Sequence, residues 1–151
     1  KVIVTTMIFT SCKTACPRLT AEMKKIAKEV GNVDPDNIEY LLISIDPKTD
    51  TPEVLKAHAK LLGVKSSNWN FLTGDKTAIF DLANKGFNLY AAANNKVSGG
   101  FEHSGLFALI DKKGHIRCRN DEFGNPILYY DGLDKKGVKD IQEDIKLLLK
   151  E

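Results

Sequence analysis

One junction near the amino terminus decides the fold: residues 9–17 read Phe9-Thr10-Ser11-Cys12-Lys13-Thr14-Ala15-Cys16-Pro17. An apolar and β-branched run over residues 2–9 leads into it, and such a run is typical of a buried central strand. A pattern of apolar residues at helical spacing begins near Pro17 and continues to residue 30. The junction therefore predicts a strand that passes through a short loop into an amphipathic helix.

Two of the three cysteines stand at this junction, with the spacing Cys-x-x-x-Cys. On a helical first turn this spacing places both sulfur atoms on one face. Unpaired N–H groups at a helix start favour negative charge, and Lys13 adds a positive charge, so we expect Cys12 and Cys16 to ionise readily. Two thiolates at a loop can exchange electrons as a disulfide or hold a soft metal ion. Buried structural thiols are the other interpretation, and a closed zinc site lacks the two further close ligands that it needs.

The chain of 151 residues fits a single domain over residues 1–151. A net charge of +2, with no basic stripe interleaved with aromatic residues, argues against a nucleic-acid partner. No apolar run is long enough to span a bilayer. The chain opens at Lys1 already in strand-like register, so we expect a leading segment upstream, together with any membrane anchor.

Strand and helix patterns alternate through the first half of the chain, and the second half is richer in strands. Strands are predicted over residues 2–9, 38–45, 70–73, 87–93, 105–110, 116–119 and 127–130. Helices are predicted over residues 17–30, 52–62, 75–85 and 138–149, with Thr51 and Asp75 as caps. The alternation predicts a largely parallel sheet, and a hairpin and a terminal helix complete it. We therefore predict an α/β, thioredoxin-like fold with a central mixed sheet and helices on both faces.

His103 lies in a stretch that contains several glycines, just before the strand predicted over residues 105–110. In a thioredoxin-like fold the loop before this strand passes beside the cysteine loop, and glycine lets the backbone approach closely or move. Sites in open α/β sheets form beyond the carboxyl ends of the strands. Two thiolates and one imidazole form a three-coordinate soft site, which suits Cu(I), or Cu(II) with an added ligand.

Asp46 and Asp50 lie in the turn that follows the second predicted strand. We interpret Asp50 as part of a helix start and Asp46 as the end of the strand. The alternative is that they accept hydrogen bonds near the site and orient a ligand. Among the other candidates, we interpret Cys118 as an ordinary strand residue, and His58 and His115 as surface residues.

Three blocks of the sequence together resemble the Sco/SenC family. They are residues 10–17 (Thr-Ser-Cys-Lys-Thr-Ala-Cys-Pro), residues 44–52 (Ser-Ile-Asp-Pro-Lys-Thr-Asp-Thr-Pro), and His103-Ser104 ahead of residues 106–111 (Leu-Phe-Ala-Leu-Ile-Asp). The first block alone is unspecific, but the three occur in the family's order and span most of the chain. The resemblance implies a thioredoxin-like fold that binds copper through Cys12, Cys16 and His103.

The resemblance also implies a function and a location. Sco proteins are anchored at the outer face of the energy-transducing membrane, which faces the periplasm in bacteria. They help to assemble the binuclear copper centre of cytochrome c oxidase by delivering copper, by reducing its cysteines, or both. We therefore expect a copper metallochaperone whose partner is a copper-accepting oxidase subunit or another copper protein.

Two other activities are compatible with the cysteines. A thiol–disulfide oxidoreductase that reduces the cysteines of an oxidase subunit or another exported protein would use Cys12 and Cys16 as a redox pair and would not need His103. Its usual motif has two intervening residues, whereas this one has three. A peroxidase would use one cysteine to attack peroxide, and no flanking signature supports it.

Overall fold

The structure is a computed structural model that describes residues 1–11, 15–31, 34–64, 66–86, 91–93, 101–103, 105–127 and 129–151. For residues 15–16, 91–93 and 101–103 it describes the backbone alone. Of the predicted ligands, Cys12 lies outside the described residues, and Cys16 and His103 are placed by their backbone.

Helices and strands alternate in the first half of the described chain, and most strands in the second half are short. The strands are β1 (Val2–Ile8), β2 (Ile38–Ser44), β3 (Trp69–Leu72), β4 (Ala91–Ala93), β5 (Phe101–His103), β6 (Leu106–Ile110), β7 (Ile116–Arg117), β8 (Arg119–Asn120), β9 (Pro126–Ile127) and β10 (Tyr130–Asp131). The helices are α1 (Ala15–Val30), α2 (Pro52–Leu61), α3 (Lys76–Asp81) and α4 (Lys135–Lys150). A 3₁₀ turn (Pro35–Asn37) precedes β2, and a π-helical turn (Leu82–Gly86) continues α3.

A mixed sheet forms the centre of the molecule, with the strand order β10-β6-β1-β2-β3 and with β7 also paired to β6. The β1–β2 and β2–β3 pairs are parallel, whereas β6 is antiparallel to β1, β7 and β10. Strands β4 and β5 form a separate hairpin, and β8 and β9 form another. This arrangement of a central mixed sheet with helices is the predicted thioredoxin-like fold.

The core surrounds β1, and every residue of this strand except Ile3 is buried. Burial of successive residues means that both faces of the strand are covered, which explains its continuous apolar run. The apolar stripe of α1, which includes Met23 and Ile26, is buried, and so is the stripe of α4 around Ile141 and Ile145. Helices α1 and α4 pack against each other. The segment that leads from β1 to Cys12 therefore extends from a well-packed strand at the centre of the sheet.

Local signals explain where the helices begin. The Thr51 side chain accepts a hydrogen bond from the Val54 N–H (3.4 Å) at the start of α2, and the Asp75 carboxylate accepts one from the Ala78 N–H (3.0 Å) at α3. Both caps are as predicted. Helix α4 begins three residues before its predicted start, because Asp134 is its N-cap and accepts from the Gly137 N–H.

Two strand predictions in the second half are wrong in detail. The segment 116–119 is divided at Cys118, so that β7 pairs with β6 whereas β8 pairs with β9. The segment 127–130 is divided in the same way between β9 and β10. Strands this short carry no periodic signal, and their partners are set by tertiary pairing. Of the strand predicted over residues 87–93, β4 covers the end, and residues 87–90 lie outside the described residues.

Candidate metal centre

The carboxyl ends of β1 and β2 lie side by side. Ile8 is in register with Ser44, and the Ile45 N–H continues the pairing by donating to the Ile8 carbonyl oxygen (2.9 Å). The segments that follow the two strands therefore leave the sheet at the same edge. These segments lead to Cys12 on one side and contain Asp46 and Asp50 on the other.

The amino end of β6 reaches this same edge, because β6 runs antiparallel to β1. Thr5 is in register with Ala108, and the Thr6 hydroxyl donates to the Leu106 carbonyl oxygen (3.0 Å). His103 ends β5, three residues before Leu106, so its backbone lies within about 11 Å of the start of β6. The topology thus brings the start of the segment that leads to Cys12 and the start of β6, three residues after His103, to one edge of the sheet.

Cys16 lies in the first turn of α1, which begins at Ala15. His103 is in register with Ala91 in the β4–β5 hairpin. Among the described residues, no three His, Cys, Asp or Glu side chains are grouped so that they could hold a metal ion. Because the Cys12, Cys16 and His103 side chains are not among those described, the ligand set remains a prediction from the sequence.

The prediction that Asp50 serves the start of α2 is wrong, because its side chain does not cap this helix. The carboxylate is completely buried. One of its oxygens, Oδ2, accepts from the Thr10 N–H (3.0 Å) and from the Ser44 hydroxyl (2.6 Å). The other oxygen, Oδ1, bonds to the Thr10 hydroxyl. Asp50 therefore joins the end of β2 to the segment that leads to Cys12, while Thr51 caps α2.

Sequence reasoning did not identify Thr10 and Ser44 as parts of this arrangement. Both residues belong to the blocks that carry the family resemblance. Thr10 lies two residues after the end of β1, and Ser44 is the last residue of β2. That placement is the signal that could have pointed to them. It is weak, because Ser and Thr commonly bond to nearby backbone groups.

Asp46 builds the turn between β2 and α2 through its backbone. Its carbonyl oxygen accepts from the N–H groups of Thr49 (3.2 Å) and Asp50 (2.8 Å). Its own N–H donates to the Ser44 hydroxyl oxygen (3.1 Å), which in turn donates to Asp50. The backbone of Asp46 therefore helps to fix the orientation of the Ser44–Asp50 pair.

His58 is half-buried, whereas the sequence predicts a surface residue. Its ring meets the Phe71 ring edge-on, with 6.1 Å between the ring centroids. Burial lowers the pKa of His58 below its ordinary value, although the negative charge of Asp50 acts in the opposite direction. The uncharged imidazole is therefore favoured here, on the helix that follows the Asp50 turn.

The two remaining candidates are exposed, at some distance along the chain from the cysteine segment. Cys118 is a free, exposed thiol between β7 and β8. His115 lies in the turn after β6, with its Nδ1 atom 3.7 Å from an Asp111 carboxylate oxygen. This turn is at the opposite edge of the sheet, because Ile110 is in register with Ile3 near the start of β1. The structure therefore places His115 away from the cysteine edge.

Comparison with known proteins identifies relatives along most of the chain. The model of the family described as SCO1/SenC matches residues 1–135. A Bacillus subtilis protein described as a SCO1 protein homolog is 31% identical over 144 residues, which cover 92% of this chain and 66% of that protein. A SCO2-like protein of Rickettsia typhi is 38% identical, over 70% of this chain and 52% of the relative. The chain thus spans between about half and two thirds of the length of these relatives.

Solved structures show the same fold. A SCO1/SenC family lipoprotein from Bacillus anthracis is 31% identical, with a TM-score of 0.81 over 99% of this chain and 82% of that one. BsSco, described as a member of the Sco family of cytochrome c oxidase assembly proteins with a disulfide switch, is 27% identical, with a TM-score of 0.75 over 97% of this chain and 78% of that one. Bradyrhizobium japonicum ScoI, solved with copper bound, shares the fold at 21% identity, with a TM-score of 0.71 over 98% of this chain and 85% of that one. Among the described helices, none is both long and apolar enough to cross a membrane.

Proposed function

Because this chain belongs to the SCO1/SenC family, we propose that it is a copper-binding assembly factor for the binuclear copper centre of cytochrome c oxidase. Copper is its cargo, held by the thiolates of Cys12 and Cys16 and by the imidazole of His103. The observation that carries this proposal is the convergence of the cysteine segment and the start of β6 at one sheet edge.

The chemistry of these donors fits copper. Thiolates are soft ligands that select Cu(I), and an imidazole completes a three-coordinate site. Thiols must lose their protons to bind a metal, so copper binding requires the reduced cysteines. A disulfide between Cys12 and Cys16 would abolish binding, and transfer to a partner would proceed by exchange of one thiolate ligand at a time.

A titration of the reduced chain with Cu(I), against a competing chelator, tests the ligand set. We expect one tightly bound copper ion per chain, no such binding in Cys12→Ser or Cys16→Ser, and binding weakened by at least about tenfold in His103→Ala. His115→Ala is the matched control, because this exposed histidine lies at the opposite sheet edge, and it should bind as the parent chain does. Equal affinity in His103→Ala and the parent would remove His103 from the site.

A second function is favoured by the similarity to BsSco, the relative described with a disulfide switch. In this alternative, a thiolate of the Cys12–Cys16 pair attacks a disulfide of the oxidase subunit, forms a mixed disulfide and releases one partner thiolate. The second thiolate then displaces the other partner sulfur. The partner gains two electrons as a dithiol, and this chain is left with a Cys12–Cys16 disulfide. Reduction of a partner disulfide that needs both cysteines but not His103 would favour this function over copper delivery.

The family also suggests a location. The Bacillus anthracis relative is described as a lipoprotein. We propose that the full protein is anchored at the outer face of the energy-transducing membrane, where an oxidase copper centre is assembled. Fractionation of cells that make the full-length protein, with and without alkaline extraction of the membranes, tests this location.

A further inference from the structure

Asp50 is a buried carboxylate that holds the ends of two neighbouring strands together. Its exposed fraction is 0%. Burying a carboxylate is costly unless hydrogen bonds replace the lost water. Here both carboxylate oxygens are used: Oδ2 accepts from the Thr10 N–H and the Ser44 hydroxyl, and Oδ1 bonds to the Thr10 hydroxyl.

The helix that follows does not require this carboxylate. Thr51 caps α2 with its own side chain, and Pro52 in the first helical position has no N–H to satisfy. A residue that served only the helix start would face the first turn of α2. Asp50 instead bonds to Thr10, which lies 40 positions earlier in the chain.

Thr10 is held at two points, its backbone N–H and its hydroxyl. It lies two residues after the end of β1 and two residues before Cys12. Fixing both groups of Thr10 restricts the direction in which the chain leaves the sheet. Ligand geometry depends on such supporting contacts, and their loss typically weakens metal binding by about 10- to 100-fold.

We infer that Asp50 is a positioning residue that acts through Thr10 to fix where the segment carrying Cys12 leaves the sheet, and so controls both copper binding and disulfide formation by Cys12 and Cys16. This inference rests on the proposed function for its copper readout. Its disulfide readout depends only on the two cysteines.

The test compares Asp50→Ala with Asp50→Asn. Alanine removes every hydrogen bond to Thr10. Asparagine has the same shape: its oxygen can accept from the Thr10 N–H and Ser44, and its amide can donate to the Thr10 hydroxyl. We expect Asp50→Ala to bind Cu(I) at least about tenfold more weakly. We also expect its disulfide equilibrium constant with glutathione to change at least about tenfold, which corresponds to about 30 mV. Asp50→Asn should restore both values to within about threefold of the parent chain.

Asp111→Ala is the matched control, because Asp111 is also a buried carboxylate that follows a central strand. It accepts from the N–H groups of Lys113 and His115, both at 2.9 Å, at the opposite edge of the sheet. We expect this variant to lose stability while it keeps both the copper affinity and the disulfide equilibrium of the parent chain. Thr10→Val, which removes one hydroxyl, provides a milder test if Asp50→Ala does not fold, and should change both readouts by about threefold.

Two results would overturn the inference. One is that Asp50→Ala, or Thr10→Val in its place, leaves both readouts unchanged. The other is that Asp50→Asn is as impaired as Asp50→Ala, since the negative charge rather than the hydrogen bonds would then matter. A parent chain that binds no Cu(I) would refute the proposed function, while the disulfide equilibrium would still decide the role of Asp50.

Discussion

Arg119 joins the second half of the chain to the last helix. Its guanidinium bonds to both carboxylate oxygens of Asp144 (2.7 and 3.0 Å) and pairs with Asp140 (2.9 Å). Asp144 also accepts from the Tyr130 hydroxyl (2.6 Å). Burial raises the pKa of Asp144, but the hydrogen bonds from Arg119 and Tyr130 outweigh this effect and hold the pKa below its ordinary value. The charged carboxylate at this position therefore depends on Arg119.

Replacing Arg119 by Met should lower the free energy of unfolding by about 2–3 kcal/mol, because the largely buried Asp144 loses its cation and Asp140 keeps only its pair with Lys136. Urea unfolding at pH 7 measures the effect. Lys136→Met is the control: Lys136 also pairs with Asp140, at 2.6 Å, but its side chain is 72% exposed. Exposed ion pairs contribute less than about 1 kcal/mol, so this variant should change little. Equal losses in the two variants would contradict the argument.

At the level of elements, the start of α4 depends on a close approach to β10. Gly137 is in the first turn of the helix, and a Cβ atom placed there would lie 2.3 Å from the Asp131 carbonyl oxygen and 2.8 Å from its nitrogen. Both atoms are backbone and cannot move aside as a flexible side chain would. A glycine at this point therefore lets helix and strand pack, although glycine is a poor helix former.

Gly137→Ala should therefore destabilise the chain, by about 1–3 kcal/mol, since steric overlap outweighs the gain of about 1 kcal/mol in helix propensity. Gly74→Ala is the matched control, between β3 and α3, where nothing lies within 4 Å of the added Cβ atom. It should be neutral or stabilising by up to about 1 kcal/mol, because alanine restricts the unfolded chain. Thermal unfolding of both variants tests whether the two changes in stability have opposite signs. A Gly137→Ala variant as stable as the parent chain would show that α4 can shift away from β10.

The elements that the sequence predicts well are those with a long periodic signal and a clear cap. Strand β1 and helix α2 agree with their predictions to within one residue at either end, because the apolar run and the Thr51-Pro52 start are local features. The division at Cys118 could not be predicted, because it depends on whether β6 or β9 supplies the partner strand.

The sheet edge at which the candidate site is expected could be predicted only in part. The shared sheet edge of the segment before Cys12 and the start of β6 follows from the thioredoxin-like topology that the alternation of elements favours, and the approach of Cys12 and His103 at that edge stays a prediction. The role of Asp50 does not follow from local signals, because Asp-Thr-Pro is a plausible helix start whichever residue caps it. Its contact with Thr10 depends on the parallel register of β1 and β2, which the sequence does not encode locally.

Across the whole molecule, the candidate site is attached to the best-supported part of the fold. Strand β1 pairs with β2 on one side and with β6 on the other, and its residues are almost all buried. The β8–β9 hairpin has much less support than β1, because it forms a separate two-stranded sheet with two residue pairs. Stability is therefore expected to be uneven, highest in the paired strands that lead to Cys12 and lower in the β8–β9 hairpin.

Amide hydrogen exchange should show this gradient. We expect the hydrogen-bonded amides of β1 and β2 to exchange through global unfolding, with an opening free energy that equals the free energy of unfolding and falls with added denaturant. The amides of the β8–β9 hairpin should open locally, at least about 100-fold more often and independently of low denaturant concentrations. If the β8–β9 amides were as protected as those of β1, the hairpin would belong to the same cooperative unit. If the β1 amides exchanged locally, the strand could not act as a fixed base for two cysteines, and supporting contacts such as the Asp50–Thr10 bonds would have nothing rigid to hold them.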